Sequence, residues 1–235
     1  MLAENLRDVQ QKIEKAAKGC DRDPNEIKLV AVSKMHPVSA IEEAIEAGQL
    51  IFGENKVQEM TDKMDELTDS GIEWHMVGNL QTNKIKYLAP RAHWIHSIEK
   101  TKYLKELEKR ASREERTLNV LIQVNISDEK QKGGCTPDQL PGILKYAAEN
   151  GKHYVVRGLM GIASFEEDLE LVRPQFRLLR ELRDTHADQF KDSESVQLSE
   201  LSMGMTHDMD VAIEEGAKMV RVGTAIFGER DYGNE

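Results

Sequence analysis

A lysine that directly follows a buried strand is the first residue in this sequence placed to do chemistry. The stretch from Ile27 to Lys34 is a nearly continuous apolar run that ends in lysine, and Pro37 follows it. Such a run is typical of a strand buried on both faces of a parallel sheet, and α/β folds bind ligands at the carboxyl ends of those strands. A desolvated amine there can bond to an aldehyde. We therefore predict that Lys34 carries a cofactor aldehyde; a solvated lysine at a strand end is the alternative.

Two segments near the end of the chain have the glycines and hydroxyls needed to bind a phosphate group. The segment SMGMTHD contains Ser202, Gly204 and Thr206, and the segment RVGTAIFG contains Gly223 and Thr224. Barrel enzymes commonly bind phosphate with the loops after strands seven and eight and with a short extra helix. We expect Thr224 to cap that helix. Ordinary turn residues that end strands and cap helices are the alternative.

An arginine inside the last predicted strand points to the same ligand. Arg221 lies between Val220 and Val222, and a charge in a core strand is seldom tolerated without a partner. Arg221 and Gly223 differ by two positions, so they face the same side of the strand. If Gly223 contacts the phosphate, Arg221 lies one step deeper under the same ligand. A salt bridge at a surface edge is the alternative.

The elements that must position these residues alternate regularly along the chain. After a helix over residues 3–18, apolar patterns predict strands over 27–34, 50–52, 73–77, 93–97, 118–124, 153–159, 196–199 and 218–222. The helices that follow them are predicted over 37–47, 55–67, 81–88, 100–115, 137–150, 168–186, 207–215 and 225–227. Eight such units indicate a parallel sheet closed as a (β/α)₈ barrel, and residues 1–235 fit a single domain of that kind. An open doubly wound sheet is the alternative.

Composition and charge restrict the classes of function. The chain has 235 residues and a formal net charge of −10, which disfavours general nucleic-acid binding. No run of about 18 apolar residues occurs, so no membrane span is expected. The amino-terminal segment is charged, helical in pattern, and lacks the apolar core of a signal peptide. We therefore expect a cytoplasmic protein.

The histidines and cysteines predict neither a metal site nor a catalytic triad. His93 and His96 are three positions apart in a predicted strand, so their side chains face opposite sides and cannot chelate one metal. His75 stands beside a tryptophan, where a structural histidine with satisfied hydrogen bonds is expected. No HExxH, CxxC pair or EF-hand pattern occurs. Cys20 and Cys135, in polar, loop-like segments, are predicted to be free thiols in a reducing compartment.

Five motifs together resemble one known family. The segments VSKMHP, FGENKVQE, WHMVGNLQTNK, LSMGMTHDMDVAI and VRVGTAIFGER look like the pyridoxal 5′-phosphate homeostasis proteins, over nearly the whole chain. The resemblance implies a single (β/α)₈ barrel of the PLP fold type III, similar to the N-terminal domain of alanine racemases. It also implies pyridoxal 5′-phosphate (PLP) bound as a lysine imine, no robust enzymatic activity, and a role in vitamin B6 balance. The chain departs from the family pattern at Asn79, Thr206 and Cys135.

The resemblance also implies which residues bind the cofactor. Lys34 matches the imine lysine, Asn55 matches an asparagine near the cofactor, and Arg221 matches the arginine under the pyridine nitrogen. The phosphate binders implied in the same way are Ser202, Gly204, Thr206, Gly223 and Thr224.

We expect a carrier or buffer of PLP rather than an enzyme. An arginine at the pyridine nitrogen keeps that nitrogen unprotonated and weakens carbanion stabilisation. Alanine racemases draw one acid/base group from a further domain, and we expect no such domain here, because the sequence ends at Glu235. The alternatives are an amino-acid racemase using a partner-supplied base, a PLP-sensing interaction protein and, more distantly, an aldolase-type Schiff-base barrel. The expected partners are PLP and apo PLP-enzymes, with no nucleic acid and no membrane, in a monomer or weak homodimer.

Overall fold

The eight strands form a closed parallel barrel, as the alternation of elements predicts. The computed structural model describes residues 1–68, 70–127, 129 and 132–229. Each strand pairs in parallel with the next, and β8 pairs with β1. The strands are Lys28–Val32 (β1), Ile51–Glu54 (β2), Glu73–Met76 (β3), Trp94–Ile98 (β4), Leu118–Gln123 (β5), Tyr154–Met160 (β6), Val196–Ser202 (β7) and Met219–Val222 (β8).

The helices cover the outside of this barrel. They are Leu2–Gly19 (α1), Val38–Glu46 (α2), Val57–Glu66 (α3), Ile85–Leu88 (α4), Thr101–Ala111 (α5), Leu140–Asn150 (α6), Arg173–Gln189 (α7), Met209–Glu214 (α8) and Thr224–Phe227 (α9). The expected extra helix, α1, buries one face through apolar residues at helical spacing: Leu2, Leu6, Val9, Ile13 and Ala17. Within the described ranges, no helix has the length and apolar character needed to cross a bilayer.

Several strands and helices begin or end at other residues than predicted, and this changes the element to which some candidate site residues belong. Strand β7 continues three residues beyond the predicted 196–199, so Ser202 ends a strand instead of opening a loop. Glu54 likewise belongs to β2. Thr224 is the first residue of α9, whose N-cap is Gly223 without a side-chain cap, so the expectation that Thr224 caps this helix is wrong. Cys135 is a free thiol, as predicted, but it is buried in the core.

The barrel interior has an apolar middle layer. Its buried cluster comprises Val30, Trp94, Leu121, Met160 and Met219. A larger apolar cluster fills the space between strands and helices. Because side chains alternate along a strand, residues two positions after this layer also face the interior, nearer the carboxyl ends. Arg221, two positions after Met219, is one of them. The fold therefore directs the predicted site residues to one end of the barrel.

Candidate functional site

A cavity of about 540 Å³ opens at the carboxyl ends of the strands. Six of the eight predicted site residues line it: Lys34, Asn55, Thr206, Arg221, Gly223 and Thr224. Gln123, Asn79, Lys56 and apolar side chains complete the wall. A larger cavity of about 770 Å³ lies at the other end of the barrel, beside α1 and the start of β1, and contains none of the predicted site residues. The chemistry of the lining, not the size, identifies the candidate site.

Lys34 lies in a tight turn just past β1 and is half-buried. Hydrogen bonds hold the turn on both sides of Lys34. The amide of Ser33 donates to the carbonyl of Gly53 at 3.1 Å, and the amide of His36 donates to the carbonyl of Ser33 at 3.1 Å. Met35 has a φ of +64°, which is uncommon for a residue with a side chain. Such a conformation persists only where the surroundings enforce it, so the position of Lys34 is set by the fold.

A buried ion cluster enforces that turn from below. The Nζ of Lys63 donates to the Oε1 of Glu54 at 2.7 Å, to the Oε1 of Glu59 at 2.8 Å and to the carbonyl of Ser33 at 2.8 Å. Glu59 also accepts the amide of Met35 at 2.5 Å, and Glu54 accepts the hydroxyl of Ser33 at 2.7 Å. Burial raises the pKa of Glu54, and Lys63 partly offsets this. The cluster thus joins α3 and β2 to the backbone on both sides of Lys34.

Arg221 forms part of the cavity wall and is anchored by its own hydrogen bonds. It is 5 % exposed; its Nη1 donates to the hydroxyl of Ser202 at 2.7 Å and its Nη2 to the carbonyl of Gly161 at 2.9 Å. Burial lowers the pKa of Arg221 to about 10, against the attraction of Asp208, so the guanidinium is charged at neutral pH. A surface-edge salt bridge does not describe this side chain, which points into the barrel.

The two predicted phosphate segments meet the cavity in different ways. Gly223 lies close to β1: a Cβ there would stand 3.0 Å from the carbonyl oxygen of Val32. Gly204 has a φ of +91°, and a Cβ atom added to it would lie 2.6 Å from the Cβ of Ala212. The turn therefore requires glycine at this position. Gly204 and Ser202 are not among the lining residues, and Ser202 is fully buried. A direct contact of these two with a phosphate stays a prediction.

Asn55 has an unpaired polar atom at the cavity. Its Oδ1 is buried and has no hydrogen-bond partner among the described residues. A buried acceptor without a donor costs about 1–3 kcal/mol. The neighbouring wall is close-packed, since a Cβ on Gly78 would stand 2.2 Å from the carbonyl oxygen of Asn55. Asn55 is therefore held in the wall of the cavity by close packing.

A polar chain inside the barrel is the feature that sequence reasoning missed. His75 Nε2 lies 2.9 Å from Glu73 Oε1, His75 Nδ1 lies 2.9 Å from His96 Nε2, and His96 Nδ1 lies 3.0 Å from the hydroxyl of Ser202. The expectation that His75 is hydrogen-bonded is confirmed. His93 is directed elsewhere and accepts the amide of Trp74 at 3.0 Å. The available signal was the spacing of Glu73 and His75, which are two positions apart and so share one face of strand three. No cluster suited to a metal ion occurs in the described part of the chain.

Comparison with known proteins gives consistent matches over the whole barrel. The family model for the alanine racemase N-terminal domain matches residues 2–231. The pyridoxal phosphate homeostasis protein of Aquifex aeolicus is 44% identical, over 97% of this chain and 98% of that protein. The protein of the same name from Escherichia coli K12 is 44% identical, over 98% and 97%. The structure of PipY from Synechococcus elongatus with PLP bound has a TM-score of 0.83 at 33% identity, over 97% of this chain and 100% of that one.

Proposed function

Since this chain belongs to the family of pyridoxal phosphate homeostasis proteins, we propose that it binds PLP in the cavity at the carboxyl ends of its strands. We further propose that it acts as an intracellular carrier or buffer of PLP, with apo PLP-enzymes as recipients. The observation that carries the proposal is that Lys34, Arg221, Gly223 and Thr224 line one cavity. An amine, a fixed cation and a glycine–hydroxyl pair are the groups that an aldehyde, a ring nitrogen and a phosphate require.

The residues present fit this cofactor. Lys34 would hold it covalently through its amine, and Asn55, which lines the same cavity, would contact it. Arg221, anchored at two hydrogen bonds, would face the pyridine nitrogen. The phosphate would lie against Thr206, Gly223 and Thr224, with Ser202 and Gly204 as the further phosphate contacts predicted from the sequence. Ser202 also anchors Arg221. Bound PLP supplies a carbonyl carbon that bonds reversibly to amines and a chromophore that reports the bond.

The first experiment tests the covalent link. Wild-type protein mixed with PLP is expected to develop a visible absorbance band, and borohydride reduction is expected to fix PLP on the peptide that contains Lys34. The variant Lys34→Arg keeps the positive charge but lacks the reactive amine, so the band should be lost. Lys56, which also lines the cavity, provides the control: Lys56→Ala should keep the band. PLP fixed on Lys56, or an unmodified Lys34 at saturation, would contradict the proposal.

The second experiment tests the role of Arg221. Hydrogen bonds that involve a charged group contribute about 1.5–3 kcal/mol, so Arg221→Ala is expected to weaken PLP binding by about 10- to 100-fold. The dissociation constant can be measured by titration of the visible band, with circular dichroism to verify that the variant is folded. An unchanged dissociation constant in a folded variant would remove Arg221 from the proposed site.

Weak catalysis follows from the same cation. Because Arg221 can only donate hydrogen bonds, it would disfavour a proton on the pyridine nitrogen, which electron withdrawal from Cα requires. We propose that free amino acids can replace Lys34 as the amine bonded to PLP without rapid loss of their Cα proton. When L-alanine is incubated with the PLP-loaded protein in D₂O, its Cα should therefore gain deuterium far more slowly than with an amino-acid racemase. Incorporation at ordinary turnover rates would favour a racemase instead.

A further inference from the structure

Five side chains form a continuous hydrogen-bonded chain through the interior of the barrel. It begins at the guanidinium of Arg221 at the cavity and passes through Ser202, His96 and His75. It ends on the carboxylate of Glu73, the first residue of β3 and so at the amino-terminal end of the barrel. The three inner side chains are buried, and Glu73 is about one-third exposed, at 36 %. The chain therefore connects the candidate site to the opposite mouth.

Chemistry fixes the direction of every hydrogen bond in this chain. A guanidinium has donors only, so Ser202 accepts from Arg221 and its own proton is free to go to His96 Nδ1. In this order His96 carries its proton on Nε2 and donates it to His75 Nδ1. His75 in turn carries its proton on Nε2 and donates it to the carboxylate of Glu73, which only accepts when ionised. The ionised carboxylate of Glu73 sets this direction when both rings are neutral, since the hydroxyl of Ser202 could also accept from His96.

The electrostatics of the chain agree with this direction. Burial lowers the pKa of His96 well below the ordinary value and also lowers the pKa of His75, so both rings are neutral. The hydrogen bond from His75 lowers the pKa of Glu73, which is therefore ionised. Two neutral imidazoles then lie between a cation and an anion. Neutral rings with one defined proton each can transmit orientation, because reversing one requires reversing all.

We infer that Glu73, His75, His96 and Ser202 form a one-directional relay that positions Arg221 from the opposite end of the barrel. In this relay the four are positioning residues: they act on the cofactor through Arg221. Glu73 completes the relay because a neutral amide there could donate or accept and would allow both directions. The inference rests on the proposed function where it assumes that Arg221 contacts PLP. The direction of the hydrogen bonds in the relay does not depend on PLP.

The order of the relay is tested without PLP. Long-range ¹H–¹⁵N correlation spectra of ¹⁵N-histidine protein at pH 7 should show both His75 and His96 protonated on Nε2 only. Ser202→Ala removes the hydroxyl at His96 Nδ1, so it should shift the Nδ1 resonance of His96 while the proton stays on Nε2, as Glu73 and His75 require. Ser97→Ala is the matched control, since Ser97 in β4 is also buried but its hydroxyl has no partner among the described residues. A proton on Nδ1 of either ring in the wild type would overturn the relay.

The effect on the site is tested at the far end. Glu73→Gln preserves shape at a partly exposed position and should give mixed tautomers at both histidines. It should also weaken PLP binding by about twofold to thirtyfold, the range of such energetic couplings. Glu26→Gln removes the same charge from an exposed residue just before β1 and should change neither property. Unchanged tautomers or unchanged affinity in Glu73→Gln would overturn the inference. A wild type that shows Nε2 protons but binds no PLP would instead contradict the proposed function.

Discussion

At the scale of single residues, the candidate site depends on charges that are buried beneath it as well as on those that line it. The Nζ of Lys63 contacts two carboxylates and a backbone carbonyl, while Glu54 is fully buried. Replacing a buried lysine of this kind leaves its carboxylate charged and unpaired in a medium of low polarity. That loss destabilises the fold by more than the intact ion pair stabilises it. The amine that the site presents and the amine that supports it are therefore different lysines.

We expect Lys63→Ala to lower the free energy of unfolding by about 3–5 kcal/mol, because it leaves the carboxylate of Glu54 buried and unpaired. Urea unfolding followed by circular dichroism measures the change. Lys145→Ala is the control, since the pair of Lys145 with Glu149 is exposed and 3.9 Å long and such pairs contribute little. Equal stability of the two variants would contradict the role assigned to the cluster.

At the scale of elements, close backbone approach between strands limits which residues the barrel accepts. Gly158 of β6 is paired with Glu200 of β7, next to a register shift. A Cβ on Gly158 would stand 1.8 Å from the carbonyl oxygen of Glu200. No rotation of a side chain relieves such a contact, because both atoms belong to the backbone frame. Strands β6 and β7 can keep their spacing only if this position is glycine.

The substitution Gly158→Ala should therefore lower the free energy of unfolding by about 3 kcal/mol or more, at the upper end of overpacking effects. Gly142 offers the opposite case: it lies in α6, and a Cβ there meets no atom within 4 Å. Gly142→Ala should raise the free energy of unfolding by about 0.5–1 kcal/mol, since alanine has less conformational freedom to lose. Calorimetry of both variants provides the test; a tolerated Gly158→Ala would argue against this strand spacing.

At the scale of the whole molecule, the neutral histidines of the barrel interior make folding sensitive to acid. Burial lowers the pKa of His75 and that of His96 in the folded state, whereas the unfolded chain titrates near about 6.5. Below that pH the two histidines bind protons in the unfolded chain but remain neutral in the folded chain, so the free energy of unfolding falls. The stabilisation from both rings is complete above about pH 6.5 and is lost as the pH falls toward their folded-state pKa.

We expect the free energy of unfolding of the wild type to decrease between pH 7 and pH 5, and to decrease less steeply in His96→Gln. Burial raises the pKa of Glu54 and of Asp208, which acts in the opposite direction as the pH falls. The difference in slope between wild type and variant isolates the histidine. Urea unfolding at several pH values measures it, and parallel slopes would show that His96 does not resist protonation.

Local patterns in the sequence were enough to predict the barrel and much of the site. Apolar runs and amphipathic stretches have their own periods, so each strand and helix could be located, and the number of units predicted closure. Motifs predicted Lys34, Arg221 and Gly223, which do meet at one cavity. Element ends were less accurate, as for Ser202, because the end of a strand depends on hydrogen bonds to neighbours.

The sequence by itself determined the order of the elements, the strand-end position of Lys34 and the inward direction of Arg221, because these follow from spacing along one segment. Only the tertiary structure decided that Lys63 supports the turn of Lys34 and that Glu73, His75 and His96 continue from Ser202 to Arg221. Such contacts join residues distant in the chain, and they depend on how far each strand is staggered when the barrel closes. No local pattern encodes that stagger.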